Sequence, residues 1–226
     1  MTKFSLEYLK RGLVDKYQLY LLKYEVCQFD RYRKLYNSFS FKHKIKLAAK
    51  WLKQYPEQAH FNYTPVNYWL KNLVPMPANI LEIGGWRGDL AEKALSSFEN
   101  INLWHNYDLI KTNNYQKCYD NRYKLISLDK DLWHMPVNYE YNALIATHMI
   151  EHLNWKELTQ LIDWIPESIS TVLFEAPLPA SDENINWKGD HSSHVLEKGW
   201  EQVISEMKNH GFSINYSEDN TFIFSR

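Results

Sequence analysis

A short apolar run that enters a glycine-rich turn and then a helical pattern is the feature that most constrains this sequence. The run covers residues 79–83, and Gly84, Gly85, Trp86, Arg87 and Gly88 follow it directly. Glycine lets the backbone turn sharply between a strand and a helix. Beyond the turn, apolar residues recur at helical spacing, which predicts a β-strand, a tight turn and a helix in succession. The apolar positions of that helix are Ala91, Ala94, Leu95 and Phe98.

The alternation of short apolar runs and helical patterns continues to the end of the sequence. Further strands are predicted at residues 101–107, 123–128, 143–147 and 171–176. Asn154 is a candidate N-cap for a helix between the last two of these strands. A final helix ends at Gly211, and two runs that a polar connection joins, 212–216 and 221–224, predict a hairpin. The pattern therefore predicts a mostly parallel sheet that ends in an antiparallel hairpin.

The first third of the sequence has a helical pattern throughout. Apolar residues recur at helical spacing in two stretches, within residues 9–24 and 45–52. A third helix is predicted with Thr64 as its N-cap and Pro65 at its first position, and Pro75 and Pro77 end it. We predict a helical N-terminal extension or cap over residues 1–76, and a second domain over residues 77–226.

Charge and composition narrow the class of protein. The chain has 26 Lys and Arg against 27 Asp and Glu, which argues against a nucleic-acid partner. Residues 1–60 carry 13 basic and five acidic side chains, which fits either solvated helix faces or contact with an anionic acceptor. We expect a cytoplasmic protein with no membrane span, because no apolar run is long enough for one. Cys27 and Cys118 lack metal-ligand spacing, so buried free thiols are expected.

The segment that runs from Leu81 through Glu82 into the glycine-rich turn resembles motif I of class I S-adenosylmethionine-dependent methyltransferases. The resemblance extends from about residue 77 to the end of the sequence. It implies an α/β, Rossmann-like fold with a mostly parallel seven-stranded sheet and a C-terminal antiparallel hairpin, preceded here by the helical cap. It also implies S-adenosyl-L-methionine (SAM) as cofactor. In this resemblance the cofactor contacts of the turn fall on Glu82, Gly84, Gly85, Trp86 and Gly88.

One departure from the family lies at Trp86, where a glycine is usual. The indole could narrow the pocket or stack near the ligand. Alternatively, only the flanking glycines need unusual dihedral angles, and Trp86 packs outward. Two further carboxylates match family positions. Asp108 ends the second predicted strand, where the family hydrogen-bonds the ribose hydroxyls, and a carboxylate can accept from both. Asp129, with Asp131 as an alternative, resembles the residue that meets the adenine amino group. The structural alternative for both is a loop carboxylate in water.

A His-x-x-Glu-His segment follows the fourth predicted strand and resembles motif IV of one branch of the family. The resemblance places His148 beside the transferable methyl group, so this residue is predicted to touch the cofactor or the acceptor. Glu151 and His152 are expected on the first turn of the next helix. There the Glu151 carboxylate either takes part in catalysis or favours the helix dipole.

Two more histidines lie in the long loop after the fifth predicted strand. His191 or His194 could deprotonate an acceptor hydroxyl, or could only hydrogen-bond the loop. We predict that both line one acceptor cavity with His148 as catalytic candidates. A metal site made of Asp190, His191 and His194 is not predicted, since their spacing matches no strict ligand motif.

These patterns predict a SAM-dependent methyltransferase that acts on an oxygen or nitrogen of a small polar acceptor, including one that contains a sugar. The alternatives are a nucleic-acid or protein methyltransferase and a non-catalytic cofactor-binding relative. The fourth predicted strand lacks the Asn/Asp-Pro-Pro-Tyr/Phe segment of base-amino methyltransferases. An NAD enzyme would need glycines at Trp86 and Asp89. The sequence does not indicate the oligomeric state.

Overall fold

A computed structural model describes residues 63–108, 116–128, 139–180, 196–218 and 220–226, and every structural statement below concerns these residues. The two helices predicted before residue 60 lie outside them. So do Cys27 and several candidate site residues, namely Asp129, Asp131, Asp190, His191 and His194.

The described elements alternate between strands and helices. In chain order they are α1 (Tyr63–Asn72), β1 (Ala78–Ile83), α2 (Asp89–Ser97), β2 (Ile101–Asp108), β3 (Tyr123–Ser127), β4 (Ala143–Thr147), a 3₁₀ turn (Ile150–His152), α3 (Trp155–Trp164), β5 (Thr171–Glu175), α4 (Trp200–Asn209), β6 (Ser213–Glu218) and β7 (Thr221–Ser225). The strands form one seven-stranded sheet in the order β3-β2-β1-β4-β5-β7-β6. Six of these strands run in the same direction, and β7 runs antiparallel to them. The predicted mostly parallel sheet with an antiparallel C-terminal hairpin is therefore confirmed.

Helices cover both faces of the sheet, and an apolar core fills each interface. Helices α3 and α4 pack on one face and helices α1 and α2 on the other. Strands β4 and β5 are apolar almost throughout, because side chains on both of their faces are buried. Helix α1, which falls within the predicted cap, packs on the sheet itself. Its Trp69 indole N–H donates to the Thr171 hydroxyl of β5 across 2.9 Å, and both residues are buried.

The ends of the helices follow local capping chemistry. The Asn154 side chain accepts from Glu157 N, and the Glu157 carboxylate accepts from Asn154 N, both at 3.0 Å, so the predicted N-cap of α3 is confirmed as a capping box. Gly211 follows α4 with φ +83°, as predicted for a left-handed helix end. The described part of α1 starts at Tyr63 and already includes Thr64 as a helical residue, so the prediction of Thr64 as its N-cap is wrong.

The segment between β4 and α3 also differs from the prediction. Glu151 and His152 lie in a separate 3₁₀ turn and not in the first turn of the next helix. The reason is the capping box at Asn154, which begins the α-helix only at Trp155. Among the described helices, none combines the length and the apolar character that a membrane span requires.

Candidate functional site

The carboxyl ends of the parallel strands meet at one edge of the sheet, and the strand order reverses between β1 and β4. In open α/β sheets, ligands bind outside the strand ends at such a reversal. The glycine-rich turn follows β1, Asp108 ends β2 and His148 follows β4. A Cβ built on Gly84 would lie 2.5 Å from Met149 Cγ, so the turn after β1 touches the segment after β4. The structure thus brings these predicted site residues to one edge.

The glycine-rich turn adopts left-handed backbone at three positions. Gly84 has φ +71°, Trp86 has φ +53° and Gly88 has φ +83°. The alternative in which only the flanking glycines need such angles and Trp86 packs outward is wrong. Trp86 is itself left-handed and half-buried, and its indole Nε1 is buried without a hydrogen-bond partner among the described residues. A left-handed backbone disfavours bulky side chains, so surrounding contacts must hold this residue.

Two side chains of β2 hold the Trp86 peptide in place. Asp108 Oδ2 accepts from Trp86 N at 2.8 Å, and Asn106 Nδ2 donates to Trp86 O at 3.2 Å. Asn106 Oδ1 also accepts from Gly85 N at 3.0 Å, and its Nδ2 donates to the Tyr123 hydroxyl at 3.1 Å. Sequence reasoning missed Asn106. The available indication was an amide within a buried strand, since a buried amide needs hydrogen-bond partners.

Glu82 lies directly beneath the turn. Its side chain is buried, Oε2 accepts from Trp104 Nε1 at 2.7 Å, and Oε1 is buried without a hydrogen-bond partner in the described part of the chain. Burial raises the pKa of the Glu82 carboxyl to about 8; the Trp104 hydrogen bond opposes this rise, and the charges of Asp108 and Asp89 add to it. The carboxyl oxygen without a partner is an acceptor that a ligand donor would satisfy.

His148 stands at the end of β4 in a left-handed conformation, with φ +50°. Its backbone N donates to Glu175 O across 2.7 Å, which ties it to the end of β5. The imidazole is 47% exposed, and its two nitrogens lie 3.6 Å from Glu151 Oε1 and 3.7 Å from Glu175 Oε1. Glu175 was missed by the sequence reasoning, although an acidic residue at the end of a buried strand is the pattern that singled out Asp108. Strained non-glycine residues cluster at functional sites.

One group of described residues outside this edge has the geometry of metal ligands. Asp163, Glu206 and His210 lie together near the carboxyl ends of α3 and α4. His210 Nε2 lies 2.7 Å from Asp163 Oδ1, and His210 Nδ1 lies 2.9 Å from the Glu206 carbonyl oxygen. Both ring nitrogens therefore already have protein partners, and the group serves to join the two helices.

No protein-family model and no curated protein sequence matches this chain. Solved structures do match it. Human N-acetylserotonin methyltransferase in complex with SAM matches with a TM-score of 0.57 and 12% identity, over 98% of this chain and 67% of that one. Magnesium protoporphyrin IX methyltransferase from Synechocystis PCC 6803 with bound S-adenosylhomocysteine (SAH) matches with a TM-score of 0.53 and 13% identity, over 79% and 93%.

A SAM-dependent methyltransferase from Mesorhizobium loti has the same arrangement, with a TM-score of 0.52 and 13% identity over 73% of this chain and 97% of that one. At such low identity the similarity is one of architecture. The chain has the Rossmann-like fold of class I SAM-dependent methyltransferases, and a shared fold does not by itself determine the chemistry of a site.

Proposed function

We propose that this protein is a methyltransferase that uses SAM as methyl donor and methylates an oxygen or nitrogen of a small polar acceptor. Sugar-containing molecules are among the candidate acceptors. The observation that carries the proposal is the turn after β1, which rests on the buried Glu82 and is held by Asp108 at the end of β2. The turn lies where the strand order of the sheet reverses, between β1 and β4. Two solved proteins of this fold hold SAM or SAH.

The residues present fit such a cofactor. Its methionine end carries an ammonium and a carboxylate, and the turn offers an acceptor at Glu82 Oε1 and a donor at Trp86 Nε1, both without a partner among the described residues. Asp108 is the candidate for the ribose hydroxyls, and Asp129 is predicted for the adenine amino group. When bound, the cofactor supplies a methyl carbon activated by a sulfonium. The protein then has to align an acceptor atom with that carbon and to take up the proton that the acceptor atom releases.

His148 is the candidate for the base that accepts this proton. It lies half exposed at the strand edge, and its ring contacts two buried carboxylates. An imidazole titrates near neutrality and suits this task. His191 and His194 are predicted to line the same cavity and are further candidates for the base.

Ligand-dependent thermal unfolding tests the proposal. SAM and SAH are each expected to raise the melting temperature, because a ligand that binds only the native state stabilises it by about 2.7 kcal/mol at a concentration 100-fold above Kd. NAD is the control and should leave the melting temperature unchanged. Equal shifts with NAD, or no shift with either sulfur ligand at millimolar concentration, would remove the central claim. Mass spectrometry of a cell extract incubated with the protein and isotopically labelled SAM would then identify the acceptor.

The left-handed Trp86 favours a second candidate, a non-catalytic relative that binds the cofactor or a partner. Trp86 carries an indole at a left-handed position of this turn. The family that the sequence resembles usually has a glycine there, which has no side chain. Calorimetry with SAM, together with a search for labelled product in the cell-extract incubation, separates the two. Binding without turnover would favour the non-catalytic relative.

A further inference from the structure

A chain of alternating imidazoles and carboxylates crosses the edge of the sheet between β4 and β5. His152 Nε2 lies 3.9 Å from Glu151 Oε1, and the same oxygen lies 3.6 Å from His148 Nδ1. On the other side of the ring, His148 Nε2 lies 3.7 Å from Glu175 Oε1. The Glu151 and Glu175 side chains are only 1% and 8% exposed, whereas the His148 ring is 47% exposed. Each nitrogen of one accessible imidazole thus faces a buried carboxylate.

Backbone contacts from three segments fix this arrangement. The His148 N–H bond to Glu175 O joins the ends of β4 and β5. The 3₁₀ turn is closed by a bond from His152 N to Met149 O at 3.0 Å, and the carbonyl of Glu151 accepts from Leu196 N at 3.2 Å. His148 keeps a left-handed backbone within this frame, a conformation that persists only where the surroundings impose it. The backbone that carries the ring is therefore fixed from β5 and from the 3₁₀ turn.

We propose that Glu151 and Glu175 are positioning residues for His148, which hold its half-exposed imidazole between two buried carboxylates so that the ring can take up the proton of the acceptor as an imidazolium. The use of this device in methyl transfer rests on the proposed function. The positioning itself is a property of the protein without ligands.

An imidazole between two carboxylates suits the chemistry of methyl transfer. An electron pair of the acceptor atom forms the bond to the methyl carbon, and the bond between the acceptor atom and its hydrogen breaks. The pair of the carbon–sulfur bond stays on sulfur, and the proton goes to His148. The resulting imidazolium lies between two carboxylates, whose negative charges stabilise it. Neither Glu151 nor Glu175 needs to touch the acceptor for this effect.

The test follows the imidazole of His148 in the full-length protein by NMR, with carbon-13-labelled histidine and no cofactor or acceptor. The signal is assigned as the one that the His148→Asn variant lacks. The described titratable groups that face His148 are Glu151 from the 3₁₀ turn and Glu175 from β5, with His152 behind Glu151. The test variants are therefore Glu151→Gln and Glu175→Gln, which keep the size and remove the charge. Glu167→Gln, at an exposed glutamate after α3, is the matched control.

We expect the midpoint of the His148 titration to fall by about one pH unit in either test variant, the lower end of what an opposite charge at this range contributes. The control should leave it in place. If a Gln variant does not fold, Glu151→Asp and Glu175→Asp, which withdraw the carboxylate by one methylene, are expected to lower the midpoint by a smaller amount. In a turnover assay, the test variants should lower kcat and leave SAM affinity unchanged.

An unchanged midpoint in both test positions would overturn the proposal. It would also be overturned if micromolar Mn²⁺ broadened the His148 signal in the parent protein and in neither Gln variant, because the carboxylates would then hold a cation. The titration needs no methyl transfer. Absence of a thermal shift with SAM and SAH would therefore remove the proposed function and leave the positioning of His148 to be decided by NMR.

Discussion

Replacement of Gly85 by alanine tests how closely the glycine-rich turn packs on Glu82. A Cβ built on Gly85 would lie 2.1 Å from Glu82 Cδ and 2.3 and 2.4 Å from the two carboxyl oxygens, well inside contact distance. Glu82 is not free to move aside. Its side chain is buried, and Oε2 accepts the Trp104 indole N–H. The added methyl group therefore overpacks the turn against β1 and breaks the hydrogen bond to Trp104.

The expected loss of stability combines two costs. Overpacking of a buried site costs about 1–3 kcal/mol, and a buried donor left without its acceptor costs about 1–3 kcal/mol more. Gly85→Ala should therefore lower the free energy of unfolding by about 2–6 kcal/mol, measured by urea unfolding monitored by circular dichroism. Gly85 does not have a positive φ, so the backbone itself accepts alanine.

Gly211→Ala is the matched control, because Gly211 has φ +83° and no atom within 4 Å of the added Cβ. It should cost only about 1 kcal/mol, from backbone conformation alone. The decisive comparison is Gly85→Ala in a Glu82→Ala background. There the carboxyl is absent, and the cost should fall by more than about 1 kcal/mol. An equal cost in both backgrounds would refute the reasoning, since the clash could not then be with Glu82.

Three further predictions follow from single contacts. Because the pKa of Glu82 is raised to about 8 in the folded protein from an ordinary 4.5, the folded state favours the protonated form, and stability should decline as pH rises through that window. Urea unfolding at several values between pH 5 and pH 9 should show a shallower decline in Glu82→Gln, and parallel declines would contradict the burial argument. Asp108→Ala removes the acceptor of the Trp86 N–H bond and the predicted ribose contact, so calorimetry with SAH should show binding weakened by about 1–3 kcal/mol. An unchanged Kd would mean that the ribose contact lies elsewhere. Trp69→Phe removes the buried bond to Thr171 and should cost about 1–3 kcal/mol in thermal unfolding. Combined with Thr171→Val it should cost less than the sum of the single changes, whereas simple addition would show that the bond contributes nothing.

The strands were the most predictable part of this molecule. The run predicted at 143–147 coincides with β4, and the run predicted at 171–176 extends one residue past β5. Parallel strands buried on both faces give uninterrupted apolar runs that polar residues bound, so their limits are visible in the sequence. The capping residue Asn154 and the left-handed Gly211 were equally visible, because caps depend on local chemistry.

The site was harder to predict because its geometry depends on residues far apart in the sequence. The left-handed Trp86 is held by Asn106 and Asp108, which belong to the next strand. Glu175 meets His148 only because β4 and β5 are neighbours in the sheet. The roles of Asp129, His191 and His194 stay predictions.

From the position of β7 between β5 and β6 we predict an order of events in the folding reaction. The β6–β7 hairpin closes over a short connection, and hairpins of this kind form in about 1–10 μs. Pairing of β7 with β5 joins Thr221 to Glu175 and has to wait for a long loop to close. Until the hairpin docks, β5 presents an open edge of unpaired backbone groups that can capture another chain. The yield of refolding should therefore fall as protein concentration rises, and a change that slows docking should lower that yield while the chains that reach the native state keep their full stability.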